Sequence, residues 1–177
     1  MNEQQFKKTR RGENFINYIC SIIASNTAKT AALRRADNPS LEYQSWEILN
    51  RFGVDLTNPQ ERIIFSLIAA AAAKGKVEED GTLGIGAALA NCYDGKCGND
   101  QAIAKLRRLI ACNSIEELNS VLRPLLQLVL SHNGTILNYG KLLDELLQFQ
   151  WKPLEIKANW AQNFYNQKPI DEEENVC

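Results

Sequence analysis

Apolar residues recur at spacings of three and four along almost the whole chain, and no stretch alternates with the period of two that a half-buried strand requires. The pattern predicts an all-α protein. Asn58-Pro59 followed by Glu61 is the strongest helix start: a capping side chain, a proline tolerated at the first helical position, and an acid three residues after the cap. The helix it opens carries Ile63, Ile64, Leu67, Ile68 and Ala71 before Gly75 stops it. Its small residues at Ala69 to Ala73 let neighbouring helices approach closely, which places it near the centre of a bundle. Upstream, helices are expected over about 12–25, 27–36 and 40–52, with Asn38-Pro39-Ser40 breaking the second from the third.

Downstream, a polar loop at 75–82 leads to a short helix near 85–91 and a Gly- and Asn-rich link at 94–99. Helices at about 100–111, 115–131, 138–150 and 154–166 follow. Ser114 with Glu117 forms a second capping box, and Asn133-Gly134 ends the long helix. Pro124 is expected to kink that helix, because it removes a donor and crowds the carbonyl one turn earlier. There is no convincing internal repeat. The expected organisation is two small helical bundles packed into one elongated subunit: an N-terminal bundle at 1–78, a connecting loop and short helix at 79–99, a C-terminal bundle at 100–166, and an acidic tail at 167–177.

Composition refines this picture. The 177 residues are 45% apolar, enough for a real core, which excludes intrinsic disorder for the body. A formal charge of −1 argues against nucleic acid until Asp171, Glu172, Glu173 and Glu174 are set aside as a polar tail; 20 basic then face 17 acidic residues. Affinity for a polyanion would therefore depend on local clustering of cations. Phe15 to Ala24 follows Lys7, Lys8, Arg10 and Arg11 and imitates a secretory signal, but Glu13, Asn17 and Ser21 interrupt it, and an amphipathic first helix with a basic start is the better reading. No other stretch approaches a membrane span. Five cysteines, an odd number without tight spacing, fit reduced thiols and the cytoplasm.

The candidate chemistry is cationic. Arginine doublets at Arg34-Arg35 and Arg107-Arg108 lie on predicted helices, and a guanidinium offers a planar fork of donors matched to phosphate oxygens. At about 100° per residue, Ile103, Leu106, Leu109 and Ile110 form one buried stripe on the helix at 100–111. Arg108 then points away from the stripe, Lys105 and Arg107 flank it, and three cations fanned over one face can track a sugar-phosphate backbone. Lys29, Arg51, Arg123 and Lys141 extend the basic set. Any of them could instead cap a helix C-terminus or pair with Asp37, Glu42 or Asp144.

Other constellations carry less. Cys92 and Cys97 have a spacing a metal could accept, but no second Cys or His pair accompanies them, so no metal and no cofactor is expected. Gly81-Thr-Leu-Gly84-Ile-Gly86 lacks the preceding strand and following Lys-Ser/Thr of a nucleotide loop and reads as entry into a tightly packed helix. His132 is the single histidine and no nucleophile set is recognisable, so an enzyme is not expected. Trp46, Trp151 and Trp160 sit among apolar neighbours and read as core.

Taken in order, these segments resemble the CasB family, the small subunit of the type I-E CRISPR surveillance complex called Cascade. The resemblance rests on Leu33-Arg34-Arg35 followed by Trp46, the alanine-rich helix ending near Ala73, and Gly81 to Ala90. It continues through Lys105-Leu-Arg107-Arg108-Leu109, Glu117-Leu118 leading to Leu122-Arg123, Tyr139 to Trp151, and Asn159-Trp160 to Tyr165. It implies two helical bundles, no catalytic activity, and a pair of small subunits beside the other Cascade subunits and their guide RNA. Their basic surfaces would hold the R-loop, mainly the backbone of the displaced target DNA strand. Family basic positions carry over to Arg34, Arg35, Lys105 and Arg123; Arg107, Arg108 and Lys141 are added by helical geometry. Pro124, the long polar link at Cys92 to Asn99 and the acidic tail depart from the family pattern. The alternative is a helical protein-protein scaffold whose arginines are merely solvated.

Overall fold

The structure, a computed structural model, describes residues 11–132 and 136–168. Lys7, Lys8 and Arg10 of the basic run, the Asn133-Gly134 stop and the acidic residues of the tail lie outside the described residues. Helices α1 (Arg11–Ser25), α2 (Thr27–Leu33), α3 (Trp46–Phe52), α4 (Pro59–Lys74), α5 (Ile85–Asn91), α6 (Asp100–Ile110), α7 (Ile115–Ser131), α8 (Tyr139–Gln148) and α9 (Pro153–Tyr165) make up the fold, with 3-10 turns at Glu42–Ser45 and Lys96–Gly98. Among the described residues the β-type pairing is an isolated parallel bridge between Leu83 and Leu137. The protein is all-α, as the periodicity predicts.

Local chemistry explains most helix ends. Asn58 accepts from the Gln60 and Glu61 amides at 3.1 and 3.3 Å with Pro59 in the first turn. Ser114 accepts from Glu117 N at 3.2 Å, while the Glu117 carboxylate reaches back to Asn113 N at 2.6 Å. The second helix is shorter than expected, ending at Leu33 rather than 36, and the third begins as a 3-10 turn. Ala36 N bonds to Leu33 O and Asn38 N to Arg35 O, a tightening that leads into Pro39, whose ring disfavours helical backbone in the residue before it. Pro124 lies within α7, which runs on for 17 residues.

Helix α4 is central. Every residue from Ile64 to Ala73 is buried, and α1, α2, α7 and α8 all pack on it. The alanines give those neighbours close access. Helix α1 also crosses α8, and α5 crosses α9, with glycine at each crossing: a Cβ at Gly12 would stand 2.0 Å from Gly140 O, and one at Gly86 2.0 Å from Trp160 O. Asp80 accepts from the Gly81, Tyr139 and Gly140 amides, tying the 75–82 loop to the start of α8. Phe15, Phe52 and Phe65 cluster edge-on, and Phe149 stacks over Trp160. Helices from either side of residues 79–99 thus contribute to one continuous core, from Phe15 through to Phe164.

Candidate functional site

Asn99 caps α6 by accepting from Gln101 N and Ala102 N, and the helix buries Ala102, Leu106 and Leu109. Ile103 and Ile110 pack partly against the same core. The stripe turns Lys105, Arg107 and Arg108 to solvent, and none of the three makes an ion pair among the described residues. Near the C-terminal end of α6, Lys157 of α9 donates to Asn113 Oδ1 at 3.1 Å and covers the Phe149 ring. Burial pushes the Cys112 thiol up, Glu117 adds to this, and Lys157 and Arg108 pull it down; the two cations therefore act at one locus. Lys157 was not legible in the sequence, because its neighbours, Asn113 at the α6–α7 junction and Phe149 after α8, are distant along the chain.

A second basic locus surrounds the C-terminal turn of α4. Arg34, just past α2, donates from Nε to Ala73 O at 3.2 Å and so caps that helix end. Asp37 receives Lys74 of α4 and, at 3.5 Å, Arg123 of α7. The Asp37 side chain is 7% exposed, that of Arg123 39%. Arg34 and Lys76 line one open groove of about 590 Å³ with Thr27, Thr30, Val77 and the carboxylate of Glu78. Arg35 is exposed and donates to Gln44 Oε1 at 3.3 Å. Lys74 and Lys76 were missed; the pattern identifies them only as flanks of Gly75, a helix stop.

The remaining candidates are not brought together with these. Arg51 pairs with Glu47 one turn earlier at 3.0 Å on exposed surface, and Lys29 is half-buried on α2. Lys141 faces a hollow that Glu13, Asp80, Asp144 and Glu145 also line. Its cation lowers the Glu145 carboxyl, which burial nevertheless holds above the usual range while Trp160 Nε1 donates to it at 2.7 Å. Lys141 thus stands among carboxylates, unlike the cations of α6. Arg11 is committed to the fold, pairing with Glu61 and covering Phe65, and Arg62 pairs with Glu42 across the Trp46 ring.

Among the described residues no group of three or more His, Cys, Asp or Glu is placed to hold a metal, and no helix is long and apolar enough to cross a membrane. Cys92 is buried, its Sγ donating to Ala88 O at 3.2 Å, and desolvation pushes its thiol up to about 11. The tryptophans divide. Trp160 is fully buried, Trp46 is 37% exposed, and Trp151 is 68% exposed, as is Leu154 three residues on at 81%. The expectation that all three are core holds for Trp160 alone: Trp151 falls at the turn between α8 and α9, where the helical period no longer applies.

Solved structures with the same fold include CasB from M. ruber, with a TM-score of 0.70 and 21% identity over 88% of this chain and 93% of that one. CasB from Thermus thermophilus aligns with a TM-score of 0.71 and 22% identity over 88% and 97%. A chain of a CRISPR RNA-guided surveillance complex aligns with a TM-score of 0.71 and 20% identity over 90% and 94%. No curated protein matches the sequence at a significant level. The family model for CRISPR-associated protein Cse2 matches residues 29–165, a span that holds the α6 cations and the cluster at the end of α4, and the chain belongs to that family.

Proposed function

We propose that this chain is a non-catalytic, nucleic-acid-binding subunit of a type I-E Cascade complex, acting in the cytoplasm in antiviral defence. It stabilises the R-loop and the displaced target strand through phosphate contacts, beside the other subunits, their guide RNA and a second copy of itself. The observation that carries this reading is the exposed face of α6, where Lys105, Arg107 and Arg108 stand without an ion-pair partner among the described residues. Such cations are available to an external anion at no cost in broken pairs. Arg34, Arg35 and Arg123 add a second set, and Lys29, Arg51 and Lys141 are weaker members because each is half-buried, paired or set in acidic surroundings. The likeness to a chain of a CRISPR RNA-guided surveillance complex supports the setting. Base pairing with the guide reads sequence, and backbone contacts by this chain add holding strength without specificity.

Salt dependence tests it. If about four cations engage single-stranded DNA, log affinity falls with log salt at a slope of roughly −3. A flat response would overturn the reading. A scaffold role is favoured by one observation, the exposed pair Trp151 and Leu154; a scaffold would keep its function after charge reversal at Arg34, Arg35, Lys105 and Arg108.

A further inference from the structure

Arg34, just past α2, and Arg123 of α7 are each held by the Nε edge of the guanidinium. Arg34 donates from Nε to Ala73 O in the C-terminal turn of α4 at 3.2 Å, and Arg123 sets its Nε 3.5 Å from the Asp37 carboxylate in an ion pair, with Lys74, the residue after Ala73, on the same Asp37 oxygen. Neither arginine side chain makes another hydrogen bond or ion pair among the described residues. The inner edge of each guanidinium is therefore spent on an anchor, and the terminal pair of amino groups is left over. That outer fork is the part that grips two oxygens of a phosphate.

Asp37 is the unusual member. Its side chain is more than nine-tenths buried, and a carboxylate so placed is costly unless cations meet it. It lies on the turn after α2 and joins that turn to α4 and α7. We propose that Asp37 is a positioning residue for a phosphate clamp: it pins Arg123 and Lys74 beside the anchored Arg34, so that the forks of Arg34 and Arg123 bind one stretch of nucleic-acid backbone at the end of α4. This rests on the nucleic-acid reading above and goes further by assigning binding to a buried negative charge.

The clamp and a diffuse basic surface respond oppositely to two substitutions. Arg123→Lys keeps the charge and an ion pair with Asp37, but a lysine ammonium cannot both hold Asp37 and present a fork. Asp37→Asn makes the chain more positive by one charge while releasing Arg123 and Lys74. The experiment follows release of a fluorescent single-stranded DNA from the full chain at several salt concentrations, with thermal melting recorded for each variant.

The clamp predicts that Arg123→Lys releases DNA about tenfold faster, close to Arg123→Ala, because the charge-assisted fork is lost in both. It also predicts faster release from Asp37→Asn despite the added positive charge, and no further effect of Asp37→Asn when Arg123 and Lys74 are both alanine. Wild-type release from Arg123→Lys, or tighter binding by Asp37→Asn, overturns the clamp. Should Asp37→Asn fail to fold, Arg123→Lys decides alone, since its site is partly exposed and its charge unchanged. A flat salt response in the wild-type chain would instead sink the nucleic-acid reading itself.

Discussion

Burial beside the crossing of α1 and α8 pushes the Asp144 carboxyl up to about 6, because desolvation outweighs the Gly12 amide it accepts at 2.9 Å and the Arg11 cation near it. The folded state thus binds this proton more tightly than the unfolded chain. Its contribution to stability is fully present below the ordinary carboxylate range and is lost as pH rises through about 6. Asp144→Asn keeps an acceptor for Gly12 N and removes the charge. Melting of both proteins between about pH 4.5 and 7.5 should show the variant gaining on the wild type as pH rises through that range; a difference constant with pH would contradict the assignment. Single residues were legible where helical phase decided their fate, as for the outward cations Lys105, Arg107 and Arg108. They were only partly legible where a distant partner decided it: Asp37 was one of several acids open to Arg123, and Lys141 stands over an acidic hollow built from α1, the 75–82 loop and α8.

Elements followed their caps. The starts at Asn58, Asn99, Ser114 and Asn138 all carry side-chain bonds to the first helical amides, and each is visible as an asparagine or serine before an apolar period. The stretch between Leu33 and Trp46 was misread because apolar spacing continues through residues that i+3 bonds and Pro39 draw into turns. How helices cross was hidden too, since a glycine shows only the absence of a side chain. At Gly86 the backbone of α5 lies against that of α9, where a methyl group would meet Trp160 O at 2.0 Å. Gly86→Ala should therefore destabilise the protein by about 2 kcal/mol or more in chemical denaturation, despite alanine's better helix propensity. A neutral or stabilising result would mean that the two helices can part without cost.

For the molecule as a whole, chain order and spatial order differ. Helix α1 lies on α8, and α4 touches helices from both ends of the sequence, contacts that no local pattern encodes. The all-α class and the family were readable because they rest on ordered local segments; the arrangement of the cations was not, because it depends on this packing. The consequence is two basic loci, one along α6 and one at the end of α4, on a chain whose net charge is −1. In the proposed function these loci, rather than bulk charge, slow the escape of target DNA. The most direct test measures dissociation of matched duplex DNA from a reconstituted guide-RNA complex with the chain present, absent, or charge-reversed at Arg34, Arg35, Lys105 and Arg108. Faster release on both omission and charge reversal, with assembly intact, is the predicted result; release unchanged by charge reversal would contradict the account and leave the chain a scaffold.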